Sequence, residues 1–244
     1  MLFRLMPVAA CLRLPRVFAI ALAAFILAAL PAQGAALGLV LAIDVSESVS
    51  TERYLLQHEG IARAFETPQL VDAVTATAGG IEALVLEWSD PDKIAMTVSW
   101  TRIANPAGAA AFASLVRHTE RTSFGLTAIG SALLAAGAAF DHMPEPAAHR
   151  TIDLSGDGMA NFGVSPAIAR DRLVASGITV NGLAILSEEP WLEDYYRHNV
   201  IGGPAAFVLV AQDYGSFAEA MLRKLVQEVA AASEVPAIGF ARHG

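Results

Sequence analysis

Apolar and polar positions alternate along the chain in short blocks, and the first block is the most informative. Residues 39–43, Leu-Val-Leu-Ala-Ile, run almost without a polar position into Asp44-Val45-Ser46-Glu47-Ser48. An uninterrupted apolar run closed by polar residues reads as a strand buried on both faces, as in parallel sheets covered by helices. Ligands of open α/β sheets gather just outside the carboxyl ends of such strands, so the polar tip is a candidate site. Beyond it, Tyr54, Leu55, His58, Ile61, Ala62 and Phe65 fall on one stripe of a helix over residues 51–66, capped by Ser50 and closed by Pro68. A short helix over 69–77 follows, ahead of Gly79-Gly80.

Residues 81–88 and 94–100 are strand-like, and the polar turn Ser89-Asp90-Pro91-Asp92-Lys93 between them predicts a hairpin with one antiparallel strand at the sheet edge. Helices are expected over 106–118 and 127–140, separated by the polar loop 119–125, with Met143-Pro144-Glu145-Pro146 as a breaker. A strand over 150–155 ends in Gly156-Asp157-Gly158, and Ser165-Pro166 opens a helix that Gly177 stops. A strand over 178–186, a helix over 190–198, a strand over 205–210 and an amphipathic helix over 217–232 complete the pattern, and the tail 233–244 lacks periodicity. The expected fold is therefore α/β: a doubly wound, mostly parallel six-stranded sheet with one antiparallel edge strand and helices on both faces.

Direction of travel tests the candidate site. The first and second strands finish at the same end of the sheet, the hairpin partner returns, and the helix over 106–118 climbs back. The loop 119–127 is thus left at the end where Asp44 emerges. The next helix descends and the strand over 150–155 rises to Asp157. Asp44, Ser46, Ser48, Thr127 and Asp157 are expected on one rim.

Composition narrows the setting. Arg4, Arg13 and Arg16 precede the uncharged apolar run 17–30, and small residues follow in 31–36, the order of a secretory signal peptide with cleavage after Gly34 or Ala36. The run is shorter than the roughly 20 residues a spanning helix needs, which argues against a retained anchor. The expected organisation is signal peptide 1–36, one domain over 37–232 and a loose tail 233–244. Cys11, the single cysteine, lies in the segment to be removed, so the mature protein would have no disulfide and no thiolate ligand or nucleophile. Export without disulfides suits a bacterial periplasm or secretion. Loss of three arginines takes the formal charge from −8 to −11. No basic cluster offers a footing for nucleic acid or for an anionic membrane surface.

The five rim residues are oxygen donors: three hydroxyls and two carboxylates. Such a set suits Mg²⁺, which takes oxygen ligands in near-octahedral geometry and keeps several waters. Taken singly, Asp-x-Ser-x-Ser reads as turn and cap chemistry, Thr127 as a helix cap and Asp157 as a turn residue. Taken together, in chain order, they point to a divalent-ion site.

Asp44-Val45-Ser46-Glu47-Ser48, the loop Gly125-Leu126-Thr127-Ala128-Ile129 and the turn Ser155-Gly156-Asp157-Gly158 resemble the metal-ion-dependent adhesion site (MIDAS) of von Willebrand factor A domains. The resemblance spans residues 37–232 and looks closest to a bacterial group of short exported A-domain-like proteins, a domain of unknown function. It implies that Ser46, Ser48 and Thr127 supply direct ligands while Asp44 and Asp157 supply charge and fix waters. It also implies Mg²⁺, Mn²⁺ or Ca²⁺ as the ion, and a protein or peptide partner whose Glu or Asp carboxylate fills the ion's open position. Glu47 departs from the small residue common between the two serines, adding charge at the rim, occupying the ion's open position in place of a partner's carboxylate, or pointing into solvent.

Other chemistry is poorly represented. The histidines show no paired metal spacing, and nucleophile-elbow, phosphate-loop and dinucleotide motifs are missing from the sequence. Asp153 and Asn181, polar positions inside central strands, are expected to hydrogen-bond locally or to support the site. Trp88, Tyr195, Tyr196 and His198 are read as core or rim packing in preference to a partner surface. The function expected is a non-enzymatic, cation-dependent protein-binding module. Two alternatives are a metal-dependent hydrolase such as a phosphatase and a domain whose ion only stabilises the fold.

Overall fold

The computed structural model describes residues 34–234. Strand β1 (Ala35–Asp44) lies at the centre, followed by α1 (Thr51–Glu66), α2 (Pro68–Ala76), β2 (Ile81–Trp88) and β3 (Ile94–Ile103). Then come α3 (Pro106–Arg117), α4 (Ile129–Ala139) with a 3₁₀ turn (Phe140–His142), and β4 (Ala147–Gly156). Helix α5 (Pro166–Ala175), β5 (Thr179–Ile185), α6 (Leu192–Asn199), β6 (Val208–Ala211) and α7 (Phe217–Glu234) close the chain. Residues 1–33 of the expected signal peptide and residues 235–244 lie outside the described residues, while Ala35 and Ala36, at the end of that expected segment, belong to β1.

The sheet order is β3-β2-β1-β4-β5-β6. Five strands run parallel, and β3 pairs antiparallel with β2 at the edge. The connections pass outward from β1 in both directions, so the reversal of winding falls at its carboxyl end, beside β4.

Side-chain alternation divides the core into two layers. Leu37, Leu39, Leu41 and Ile43 of β1 pack with Ile61 and Phe65 of α1, Phe112 of α3 and Leu225 of α7. Val40 and Ala42 face the other way, onto Leu133 of α4, Leu173 of α5 and Tyr196 of α6. Burial on both faces explains why the run carries no polar position, since each buried branched side chain contributes roughly 1.5–3 kcal/mol.

Helix ends follow local chemistry in part. Ser50 Oγ accepts from Arg53 N and Asn105 Oδ1 from Gly108 N, while Pro166 starts α5 without a side-chain cap from Ser165. Several boundaries differ from expectation. Strand β4 begins at Ala147, β3 extends to Ile103, and the last helix runs on to Glu234, because pairing and packing continue past the point where apolar periodicity fades. Helix α4 starts at Ile129 rather than at 127, leaving Thr127 in an extended loop.

Candidate metal centre

Strand β1 ends at Asp44, and the chain turns sharply, with Val49 N donating to Ser46 O at 3.0 Å. Asp44 closes the turn from inside by accepting from Ser46 N at 2.7 Å. Val45 is driven into the core while Ser46 and Ser48 stay on one side, their hydroxyl oxygens 3.2 Å apart. Ser48 Oγ then donates to Asp157 Oδ1 at 2.7 Å across 109 residues. Asp157 emerges just after β4, which pairs with β1, so sheet register alone brings the two loops side by side.

The threonine loop is tied to this pair through backbone. Glu47 N donates to Gly125 O at 2.8 Å. Thr127 N donates to Asn161 Oδ1 at 2.8 Å, and Asn161 N returns to Thr127 O at 3.1 Å. Leu126 N is held by Asp90 Oδ1 from the hairpin turn, which lies so close that a Cβ at Gly125 would fall 2.5 Å from that carboxylate. Thr127 is nearly buried and does not cap the following helix, whose N-cap is Ala128 without a side-chain bond. All five expected residues therefore stand on the three adjoining loops at the carboxyl end of the sheet. Asp44, Ser46, Ser48 and Asp157 form one hydrogen-bonded cluster, which Thr127 joins through its loop.

Two arginines frame the cluster. The Arg121 guanidinium donates to the carbonyls of Val45, Ser46 and Val49 at 2.6–2.9 Å and lies 3.8 Å from the Phe124 ring centre, stitching the first loop to the threonine loop. Arg53 reaches Ser48 O at 3.0 Å, Asp157 Oδ2 at 3.5 Å and Glu188 Oε1 at 2.8 Å. Tyr214 donates to Asp157 Oδ2 at 2.9 Å. Glu47 itself is exposed.

The two carboxylates are placed differently. Asp157 has both oxygens occupied by the chain's own donors. Asp44 is fully buried, and its Oδ2 has no hydrogen-bond partner. Burial, with the charge of Asp157 second, pushes the Asp44 carboxyl up to about 7. Gly156 is what allows this crowding: a Cβ there would lie 2.9 Å from Asp44 Oδ2 and 2.8 Å from the buried, unpartnered Tyr196 hydroxyl. An orphaned carboxylate oxygen beside a second carboxylate and clustered serine hydroxyls fits a hard divalent cation. Among the described residues no group of three or more His, Cys, Asp or Glu side chains is placed to hold a metal ion.

A model of the family described as protein of unknown function (DUF1194) matches residues 34–233. The chain belongs to the DUF1194 family. No curated protein matches it in sequence. Solved structures share the fold of the DUF1194 chain at low identity. Proximal thread matrix protein 1 from the mussel byssus, in a form with a zinc-occupied MIDAS motif, has TM-score 0.56 and 17% identity over 81% of this chain and 48% of its own. The pilus adhesin SpaC from Lactobacillus rhamnosus GG has TM-score 0.58 and 14% identity, covering 79% of this chain and 30% of the adhesin. The von Willebrand factor domain of the type V pilus tip protein Mfa5 from Porphyromonas gingivalis has TM-score 0.57 and 9% identity, covering 85% of this chain and 99% of that domain. The DUF1194 domain thus has the von Willebrand factor A fold, and it spans about half the length of the byssus protein.

Of the two courses expected for Asp153 and Asn181 in the DUF1194 domain, hydrogen bonding to neighbours or support of the site, the structure takes the first. Asp153 Oδ1 lies 2.7 Å from Lys224 Nζ, which also contacts Glu228, and Asn181 donates to Glu228, all in the interior beneath α7. Trp88 and Tyr196 are core residues, as expected. Arg121, Asn161 and Tyr214 carry no sequence signal of their own, because each acts on the site across 34 or more residues.

Proposed function

We propose that this DUF1194 protein is an exported binding module that engages a protein partner through a divalent cation held by Asp44, Ser46, Ser48, Thr127 and Asp157. The observation that carries the reading is the buried, unpartnered Asp44 Oδ2 set beside the hydrogen-bonded Ser46–Ser48–Asp157 cluster. Mg²⁺ suits this donor set best, with Mn²⁺ or Ca²⁺ as alternatives. When bound, the ion would supply an electrophilic position for a Glu or Asp carboxylate of the partner. The zinc-occupied MIDAS of the byssus protein and the pilus adhesin SpaC, both of the same fold, support this assignment.

The surroundings favour a protein over a small charged ligand. Phe124 and Leu126 on the threonine loop, Met159 and Phe162 after Asp157, and Trp191 ahead of α6 are large apolar side chains left exposed near the same rim. Exposed apolar groups gathered at one site mark protein contact more often than chance exposure does. Residues 1–36 serve in this proposal as the signal peptide, delivering the domain to the periplasm or outside the cell. Cleavage after Gly34 would leave β1 whole, since that strand starts at Ala35.

A pull-down from the native cell envelope in Mg²⁺ tests the reading, with wild type compared with Asp44→Ala/Ser46→Ala. Capture that disappears both with chelator and in the double variant is the expected result. Capture indifferent to both would refute cation-mediated binding.

A further inference from the structure

Arg53 stands where a second cation would be unwelcome. Its Nη1 lies 3.5 Å from Asp157 Oδ2 and 3.0 Å from Ser48 O, both belonging to residues of the candidate ion site. Its Nη2 lies 2.8 Å from Glu188 Oε1 in the loop after β5, and its guanidinium carbon lies 5.1 Å from the ring centre of Tyr214. The residues at its two ends differ in freedom. The Asp157 side chain is 1% exposed and pinned by Ser48 and Tyr214, whereas that of Glu188 is 60% exposed.

We propose that Arg53 is a resident counter-cation that competes with the divalent ion for Asp157, and that Glu188 is the anchor that takes Arg53 over when the ion binds. The proposal rests on the assignment of the ion site made above and adds a regulator to it. Asp157 can balance one neighbouring positive centre at little cost, but a guanidinium and a divalent ion within a few ångströms of the same buried carboxylate repel each other. The contact with Asp157 is long for a charge-assisted hydrogen bond, and that with Glu188 is short, so the guanidinium already leans toward the exposed partner. Ion occupancy and the position of the loop carrying Glu188 are thereby linked, and that loop contributes Ser187 to the open groove beside Arg53 and Tyr214.

The ion alone is a sufficient probe. Mg²⁺ binding to the exported domain is measured by calorimetry and by the rise in Tm with added ion, for wild type, Arg53→Gln, Arg53→Lys, Glu188→Gln and Asp44→Ala. Removing the competing charge in Arg53→Gln is expected to tighten Mg²⁺ binding by about tenfold. Arg53→Lys stays near wild type, and Glu188→Gln, which leaves Asp157 as the one carboxylate paired with Arg53, binds more weakly. Unchanged or weaker binding by a folded Arg53→Gln overturns the proposal. Should that variant fail to fold, Glu188→Gln decides: unchanged binding overturns it and weaker binding supports it. Wild-type binding that is lost in Asp44→Ala but indifferent to Arg53 and Glu188 sinks the counter-cation and spares the ion site. No binding of Mg²⁺, Mn²⁺ or Ca²⁺ by wild type removes both.

Discussion

Thr127 and Asn161 hold each other by two hydrogen bonds, one from Thr127 N to Asn161 Oδ1 at 2.8 Å and one from Asn161 N to Thr127 O at 3.1 Å. The threonine loop is therefore positioned by the loop that follows Asp157, and the two halves of the candidate site are mechanically one piece. Asn161→Ala removes the side-chain acceptor and leaves Thr127 N without it. A loss of about 1–2 kcal/mol in urea unfolding is expected, with Mg²⁺ affinity falling by roughly tenfold. Wild-type affinity in this variant would show that Thr127 is placed by other means.

Gly156→Ala tests the crowding behind Asp44. The added methyl would sit under 3.0 Å from both Asp44 Oδ2 and the Tyr196 hydroxyl, and neither can withdraw far from a buried position. Destabilisation of about 1–3 kcal/mol is expected, together with weaker ion binding, since the carboxylate itself must move. Calorimetric unfolding with and without Mg²⁺ separates the two effects.

Glu87 gives the domain an acid-sensitive element. Its carboxylate is fully buried, where it accepts from the Tyr54 hydroxyl at 2.9 Å and from Thr122 N and Oγ1 at 2.9 and 2.7 Å, and it faces His58 Nε2 at 3.1 Å. Burial by itself would raise its pKa, but the bonds from His58 and Thr122 outweigh that and hold it below the usual range. A carboxyl lowered on folding adds stability above its unfolded value of 4.5, and that stability is lost as the pH falls through the lower folded value. Glu87→Gln is therefore expected to be less stable at neutral pH by about 2–3 kcal/mol and to lose less stability than wild type on acidification below 4.5. Parallel Tm curves across that range would contradict the assignment.

Lys224 is buried between Asp153 and Glu228 at 2.7 Å from each. Burial lifts the Asp153 carboxyl and Lys224 opposes the lift, so the cation is what keeps two interior acids tolerable. Lys224→Met is expected to cost about 3–5 kcal/mol in chemical denaturation, whereas replacing all three with apolar residues of similar volume should be nearly neutral. Equal losses in the two variants would argue against charge compensation.

The exposed apolar side chains at the rim are tested at Met159 and Phe162, which are 41% and 55% exposed. Met159→Ser/Phe162→Ser should leave Mg²⁺ affinity unchanged and reduce capture of the envelope partner by about tenfold or more. Full capture by the double variant would confine recognition to the ion.

Much of this fold could be read from the chain because its elements carry local signatures. The apolar run of β1 reflects burial on both faces, the hairpin turn at 89–93 announces the antiparallel edge, and Ser50 and Asn105 cap the helices they precede. Asp44, Ser46 and Ser48 were legible together because they lie within five residues of one strand end. Thr127 and Asp157 followed from counting directions of travel through an alternating α/β chain, a topological argument that needs no side-chain detail.

What the sequence determined by itself was which elements form and which hydroxyls and carboxylates reach the same end of the sheet. These depend on periodicity, turn chemistry and chain direction, which are read along the chain without knowing what packs against what. The tertiary structure decided how those groups are held. It placed Tyr214 and Arg53 on Asp157, left Asp44 Oδ2 without a partner behind Gly156, and sent Asp153 to a buried lysine instead of the rim. Hydrogen bonds and charge pairs act over a few ångströms between residues scores of positions apart. Only the packed sheet, with β1 set against β4 and α7 folded back over it, brings them within reach.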